Sequence, residues 1–94
     1  MKELRAKFIK SINVQIDDFI PKDVYATFSL SETLSWTLNK EVGFKTSIIQ
    51  RFSHDDKIRF LSVYTENNRY DFELECDCEI VFNEATKLHE IKKR

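Results

Sequence analysis

Seven side chains in the last third of the chain have types and spacing that bear on chemistry: Cys76 and Cys78, and the carboxylates Asp71, Glu73, Glu75, Asp77 and Glu79. A Cys-x-Cys on an extended segment puts both sulfurs on one face, about 7 Å apart along the chain. That spacing suits a shared metal better than a bond between them, but zinc would need about two more ligands. His54 and His89, the only histidines, stand at no ligand spacing from either cysteine. The same residues make a Cys–His nucleophile pair only on paper. Both cysteines lie mid-strand in an apolar row, where burial disfavours the thiolate. They read as small apolar core residues, and no catalytic residue, metal or cofactor is expected.

The carboxylates alternate along one strand face at a spacing of about 6.8 Å. Charge is uneven around them: residues 60–86 carry one basic and seven acidic side chains, whereas residues 87–94 carry four basic and one acidic. Nothing in the spacing provides the second role that a catalytic carboxylate pair needs. The row reads either as a solvated face partly neutralised by a neighbouring strand, or as a docking surface for a protein with a basic surface. Leu61 and Val63 interrupt the polar alternation of their own strand and form a candidate apolar back face. That face is suited to a partner, to a covering helix, or to self-association into a homo-oligomer.

The elements that position these residues follow from the period of the sequence. Of 39 apolar residues, 29 have even numbers and 10 odd. A helical period would mix the two, and a strand period separates them. Tyr70–Phe82 is expected as one long strand with Tyr70, Phe72, Leu74, Cys76, Cys78, Ile80 and Phe82 inward. Residues 58–65 form its hairpin partner across Glu66-Asn67-Asn68. Keeping the even rows together puts Tyr64 opposite Tyr70, Phe60 opposite Leu74, Arg59 opposite Glu75 and Lys57 opposite Asp77. Residues 24–30 are a further strand, continued by Leu34, Trp36 and Leu38 either as one bent strand or as two. Residues 44–52 are another.

Residues 2–20 admit both strand and helix, with the Ile-Asn-Val-Gln-Ile stretch favouring strand. Any helix ends by Ile20, ahead of Pro21. Asn83 as a cap, Glu84 in the first turn and Lys92, Lys93 and Arg94 in the last predict a short C-terminal helix. The fold class is therefore mainly β (α+β), a single domain over residues 1–94. It consists of an antiparallel sheet of four to six strands with that helix.

Composition removes several function classes. One glycine and one proline leave no phosphate-binding glycine loop and no dinucleotide fingerprint. A net charge of −1 makes nucleic acid an unlikely partner. The aromatic row Phe28, Trp36, Phe44, Phe52, Phe60, Phe72 and Phe82 lies on the core parity, with no basic stripe beside it as a base-stacking sheet would have. Apolar runs no longer than three residues exclude a membrane span and a signal-peptide core. Two cysteines require no oxidising compartment, so a cytoplasmic protein is expected.

The alternation over residues 7–82 resembles the SecB-like chaperone family. Lys7 to Asp17 stands as a first strand, Val24 to Asn39 as a second and Phe44 to Thr65 as a third region. Phe72 to Phe82 (Phe-Glu-Leu-Glu-Cys-Asp-Cys-Glu-Ile-Val-Phe) stands as the fourth. Ile80-Val81 replace the glycine usual before the final Phe, and the C-terminal segment is shorter than the family's helices. The resemblance implies a four-stranded antiparallel sheet with terminal helices, and a holdase or regulator that binds unfolded segments. The reading taken from the residues themselves is a non-enzymatic protein-binding module of inhibitor, adaptor or antitoxin-like type.

Overall fold

A computed structural model describes residues 4–94 of the chain. Within them the architecture is mainly β. The strands are β1 Arg5–Ser11, β2 Tyr25–Leu30, β3 Leu34–Thr37, β4 Gly43–Lys45, β5 Arg51–His54, β6 Phe60–Tyr64, β7 Arg69–Leu74, β8 Cys78–Asn83 and β9 Leu88–Lys93. One helix, α1 Val14–Phe19, follows β1. Seven strands form an antiparallel sheet in the order β4-β3-β2-β1-β7-β6-β5, and β8 and β9 form a separate hairpin. The sheet thus exceeds the expected four to six strands.

The two edge strands, β4 and β5, are consecutive in the chain. In a flat seven-stranded sheet they would lie about 29 Å apart, six gaps of about 4.8 Å. The six Cα steps from Lys45 to Arg51 span at most about 22 Å. The sheet must therefore curl. The connection is tied to both sides of the curl: Thr46 N–H donates to Leu34 C=O (2.9 Å), Ile49 N–H to Glu32 C=O (2.9 Å) and Gln50 N–H to Tyr64 C=O (2.8 Å).

The concave face is the core. Ala6 and Ala26, opposite one another on β1 and β2, are small enough to let large side chains meet across them. Phe28 of β2 meets Phe72 of β7 with ring centroids 5.1 Å apart, although β1 lies between the two strands. Phe44 on β4 stacks on Tyr70 of β7 at 5.3 Å. The Trp36 indole N–H reaches past β2 to donate to Ala6 C=O on β1 (2.9 Å). Gly43, the only glycine, stands where a Cβ would lie 2.8 Å from the Trp36 carbonyl oxygen, so no larger residue fits without a shift. The β8–β9 hairpin adds Cys78 and Ile91 to the same cluster, and Ile20 joins it from the end of α1.

Several expectations are corrected. The predicted C-terminal helix is a single turn. Asn83 does cap it, accepting from Ala85 N–H and Thr86 N–H, and Lys87 N–H closes it onto Asn83 C=O (2.7 Å). Lys87 then takes φ 62°, which reverses the chain into β9 to pair with β8. The long strand 70–82 breaks at 75–77, because Leu74 N–H is held by Arg59 C=O (2.6 Å) and Cys78 N–H by Lys57 C=O (3.3 Å). Residues 24–38 are two strands, one of the two arrangements expected, joined by a tight turn with Ser31 N–H on Thr33 C=O. Residues 44–52 divide between opposite edges of the sheet. The N-terminal segment is both strand and helix in turn, with Asn13 Oδ1 accepting Gln15 N–H at the helix start. Residues 2 and 3 of that expectation lie outside the described residues.

The hairpin register differs as well. Tyr64 pairs with Arg69, Val63 with Tyr70 and Leu61 with Phe72, and Thr65 N–H donates to Asn68 C=O. The loop is Glu66-Asn67, so β6 presents its odd residues to the core. Leu61 and Val63 are 1% and 0% exposed, whereas Phe60 is 52% exposed.

Ile58 joins the core at φ 54°. Left-handed backbone in a β-branched residue carries strain of about 1–3 kcal/mol, held here by the burial of its side chain. Truncation to Ala keeps the Cβ penalty and loses the burial, whereas Gly removes the penalty too. Ile58→Gly is therefore expected to be no less stable than Ile58→Ala in urea denaturation, and a clearly weaker Gly variant would show that the backbone is unstrained.

Candidate interaction surfaces

β7 turns its odd residues to the convex face, and the carboxylates expected there each have a setting. Asp71 accepts two bonds from Arg69, Nε to Oδ1 (3.1 Å) and an Nη to Oδ2 (2.9 Å), and a third from Ser62 Oγ (2.8 Å). With both oxygens engaged by a guanidinium, Asp71 anchors Ser62 rather than activating it. The same pairing holds the Arg69 guanidinium above its ordinary value. Glu73 accepts the Tyr25 hydroxyl (3.0 Å) and lies 3.7 Å from Lys7 Nζ. The hydrogen bond to that carboxylate pushes the Tyr25 phenol up, since the phenolate would lose it.

Past the break, Asp77 lies 3.5 Å from an Arg59 Nη and Glu75 lies 4.0 Å from Lys93 Nζ. Glu79 faces Lys92 across the β8–β9 ladder. The expected Arg59–Glu75 and Lys57–Asp77 pairings are therefore replaced, and Asp71 and Glu73, which the sequence register left without partners, have them. The five carboxylates do not lie in one row: Asp71 and Glu73 belong to the sheet, Glu75 and Asp77 to the corner, and Glu79 to the hairpin. Leu61 and Val63, expected as an exposed back face, are core, because the odd register turns them inward.

The two sulfurs also separate in role. Cys78 is fully buried and its Sγ donates to Cys76 C=O (3.2 Å). Burial, reinforced by Cys76, pushes its thiol up to about 12, so it stays protonated at neutral pH and is a poor nucleophile. Cys76 is half-buried. His54 and His89 each lie against a phenylalanine, Phe52 at 6.4 Å and Phe82 at 5.1 Å. Among the described residues no three His, Cys, Asp or Glu side chains are grouped to hold a metal ion.

The surface that the sequence reading missed is the outer edge of β5. Asp55 N–H donates to Phe60 C=O (3.3 Å), and the register pairs Ser53 with Ser62 and Arg51 with Tyr64. The alternation of an antiparallel ladder then turns the backbone groups of Arg51 and Ser53 and the Asp55 N–H towards β6, and the backbone groups of Phe52 and His54 outwards; the Asp55 C=O instead accepts Ile58 N–H (3.1 Å). Among the described residues no strand pairs on that outer side. Asp55 closes the strand: its Oδ1 accepts Arg59 N–H (2.7 Å) and Phe60 N–H (3.0 Å). These bonds hold its carboxyl below the usual range. Arg51 lies over the Tyr64 ring, 3.9 Å from its centroid.

A groove of about 400 Å³ extends from β5 across β6 and β7 to β1, lined by Ile9, Ser53, His54, Phe60 and Asp71 among others. Other exposed apolar side chains lie elsewhere: Ile12 and Phe19 near α1, Ile48 in the β4–β5 connection and Phe82 on β8. No helix among the described residues is long and apolar enough to cross a membrane. No protein-family model, curated protein or solved structure matches the chain.

Cys78→Ser places a hydroxyl in a fully buried apolar site and is expected to lower stability by about 1–3 kcal/mol. Half-buried Cys76→Ser is expected to cost less. Equal losses in denaturant titrations, or stoichiometric zinc in the purified protein, would overturn this reading of the pair.

Proposed function

We propose that the chain is a non-enzymatic protein-binding module whose partner engages the open edge of β5. The observation that carries this reading is the conjunction of outward-facing backbone groups at Phe52 and His54 with exposed Phe60 and its adjoining groove. Unpaired strand edges are templates for another chain, and main-chain bonding to such an edge is a recurring mode of peptide recognition. The non-enzymatic part draws on the protonated, buried Cys78 thiol, on histidines set against phenylalanine rings, and on an Asp71 carboxylate already engaged by Arg69. A basic partner remains compatible with the acidic residues. Because Asp71, Glu73, Glu75 and Asp77 each have a cation or hydroxyl nearby, however, such a partner would steer on residual field more than on unpaired charge.

A second reading, a SecB-like holdase that binds unfolded segments, draws on the exposed Phe19 and the apolar groove of about 180 Å³ that it forms with Ile20, Gly43 and Phe44. A holdase suppresses aggregation of unrelated clients and needs no stoichiometric partner.

His54→Pro separates the two readings. It removes an outward N–H without breaking the β5–β6 ladder. A partner retained stoichiometrically by the wild type and lost by this variant, with an unchanged far-ultraviolet spectrum, is the expected result. Undiminished retention by His54→Pro would move the binding surface away from β5, and aggregation suppression that the substitution leaves intact would favour the holdase.

A further inference from the structure

We infer that the β5 edge is self-complementary and pairs with the β5 edge of a second copy, on a two-fold axis through Ser53. The inference rests on the reading of β5 as the binding edge and names its occupant. Only Phe52 and His54 offer outward backbone groups. In an antiparallel pairing of two identical strands the one register that engages both residues of each strand sets Phe52 opposite His54 of the copy and His54 opposite its Phe52. Ser53 then faces Ser53 across a non-hydrogen-bonded position. Each Phe52–His54 pair exchanges two main-chain bonds.

The side chains agree with this register. On the convex face Arg51 falls opposite Asp55 of the copy, and Asp55 opposite its Arg51, so opposite charges meet twice. On the other face Phe52 meets an imidazole, a contact the two residues already approach within one chain at 6.4 Å. A one-residue shift would set inward-bonded positions against outward-bonded ones and lose the ladder. The interface is isologous and therefore closes at two copies.

The other edge does not offer the same match. β4 is three residues long and carries Lys45, and a charged lysine on a short strand is a usual protection against pairing. Joining β4 of one copy to β5 of another would instead be heterologous and would not close at two copies. The short β5 ladder implies a weak dimer, as small interfaces generally do, present at high protein concentration.

The test is cross-linking at the axis. In the inferred pair the two Ser53 Cα atoms lie about 4.5–5.5 Å apart, within disulfide reach, whereas the two Arg51 Cα atoms are offset by four residues and lie more than about 10 Å apart. Ser53→Cys, oxidised mildly at high protein concentration, is expected to give a disulfide-linked dimer as the main product. Arg51→Cys is expected to stay near the wild-type background set by Cys76. Sedimentation of the wild type from about 10 µM to about 1 mM should show a monomer–dimer equilibrium, and His54→Pro should remain monomeric throughout. Equal cross-linking by Arg51→Cys and Ser53→Cys would overturn the register. A wild type that stays monomeric, with Ser53→Cys uncross-linked, would overturn self-pairing. If in that case a different protein is still lost on His54→Pro, the edge binds but the occupant is not a second copy. If His54→Pro changes neither association nor partner retention, the binding-edge reading itself fails.

Discussion

The constraint on which the rest of the structure depends is the length of the β4–β5 connection. Its residues, Thr46 to Gln50, are too few to join the two edges of a flat seven-stranded sheet, so the sheet bends until they can. The bend decides what lies inside it. It requires small side chains where strands approach most closely, supplied by Ala6 and Ala26. It also brings rings from non-adjacent strands into contact, Phe28 with Phe72 and Phe44 with Tyr70. Trp36 completes the arrangement by fastening β3 to β1 through its indole N–H. A buried indole needs such a partner, since leaving a buried donor unpaired costs about 1–3 kcal/mol.

The same bend explains what remains open. Because β4 and β5 terminate the sheet, each keeps one unpaired side, and the chain protects them unequally. β4 is short and basic, while β5 begins at Arg51 and is followed directly by Asp55, four positions on. The convex face outside the bend carries matched pairs rather than a uniform field: Lys7 with Glu73, Arg69 with Asp71, and Arg59 with Asp77 at the corner. Partly exposed surface pairs of this kind contribute on the order of 1 kcal/mol or less each, so their main effect is to neutralise the acidic residues locally.

The parts of this fold legible in the sequence are those decided by alternation. The even rows of β1, β2, β3 and β7 are buried as the parity of apolar residues implies, and the buried Cys78 follows from its place in that row. Segment 60–64 was ambiguous because it is apolar on both faces. Ser62 in the middle of the even row was the available signal that Leu61 and Val63 face inward. The break at 75–77 left no local trace, since Glu75, Cys76 and Asp77 keep the alternation and the chain is diverted by bonds to Lys57 and Arg59. The C-terminal helix expected from the Asn83 cap and the charge order of Glu84, Lys92, Lys93 and Arg94 was overridden by a positive φ at Lys87, a position without glycine. The open edge of β5 was invisible to local pattern, because which strand ends a sheet is a property of topology.

The central claim, a sheet curled by its own short connection, is tested most directly through the rings of Phe44 and Tyr70. Four strand spacings separate β4 from β7, about 19 Å in a flat sheet, yet the two ring centroids are 5.3 Å apart. Nuclear Overhauser spectra of the assigned protein should show cross-peaks between the ring protons of Phe44 and Tyr70. Their absence, with the β3–β4 and β6–β7 ladders otherwise intact, would contradict the account.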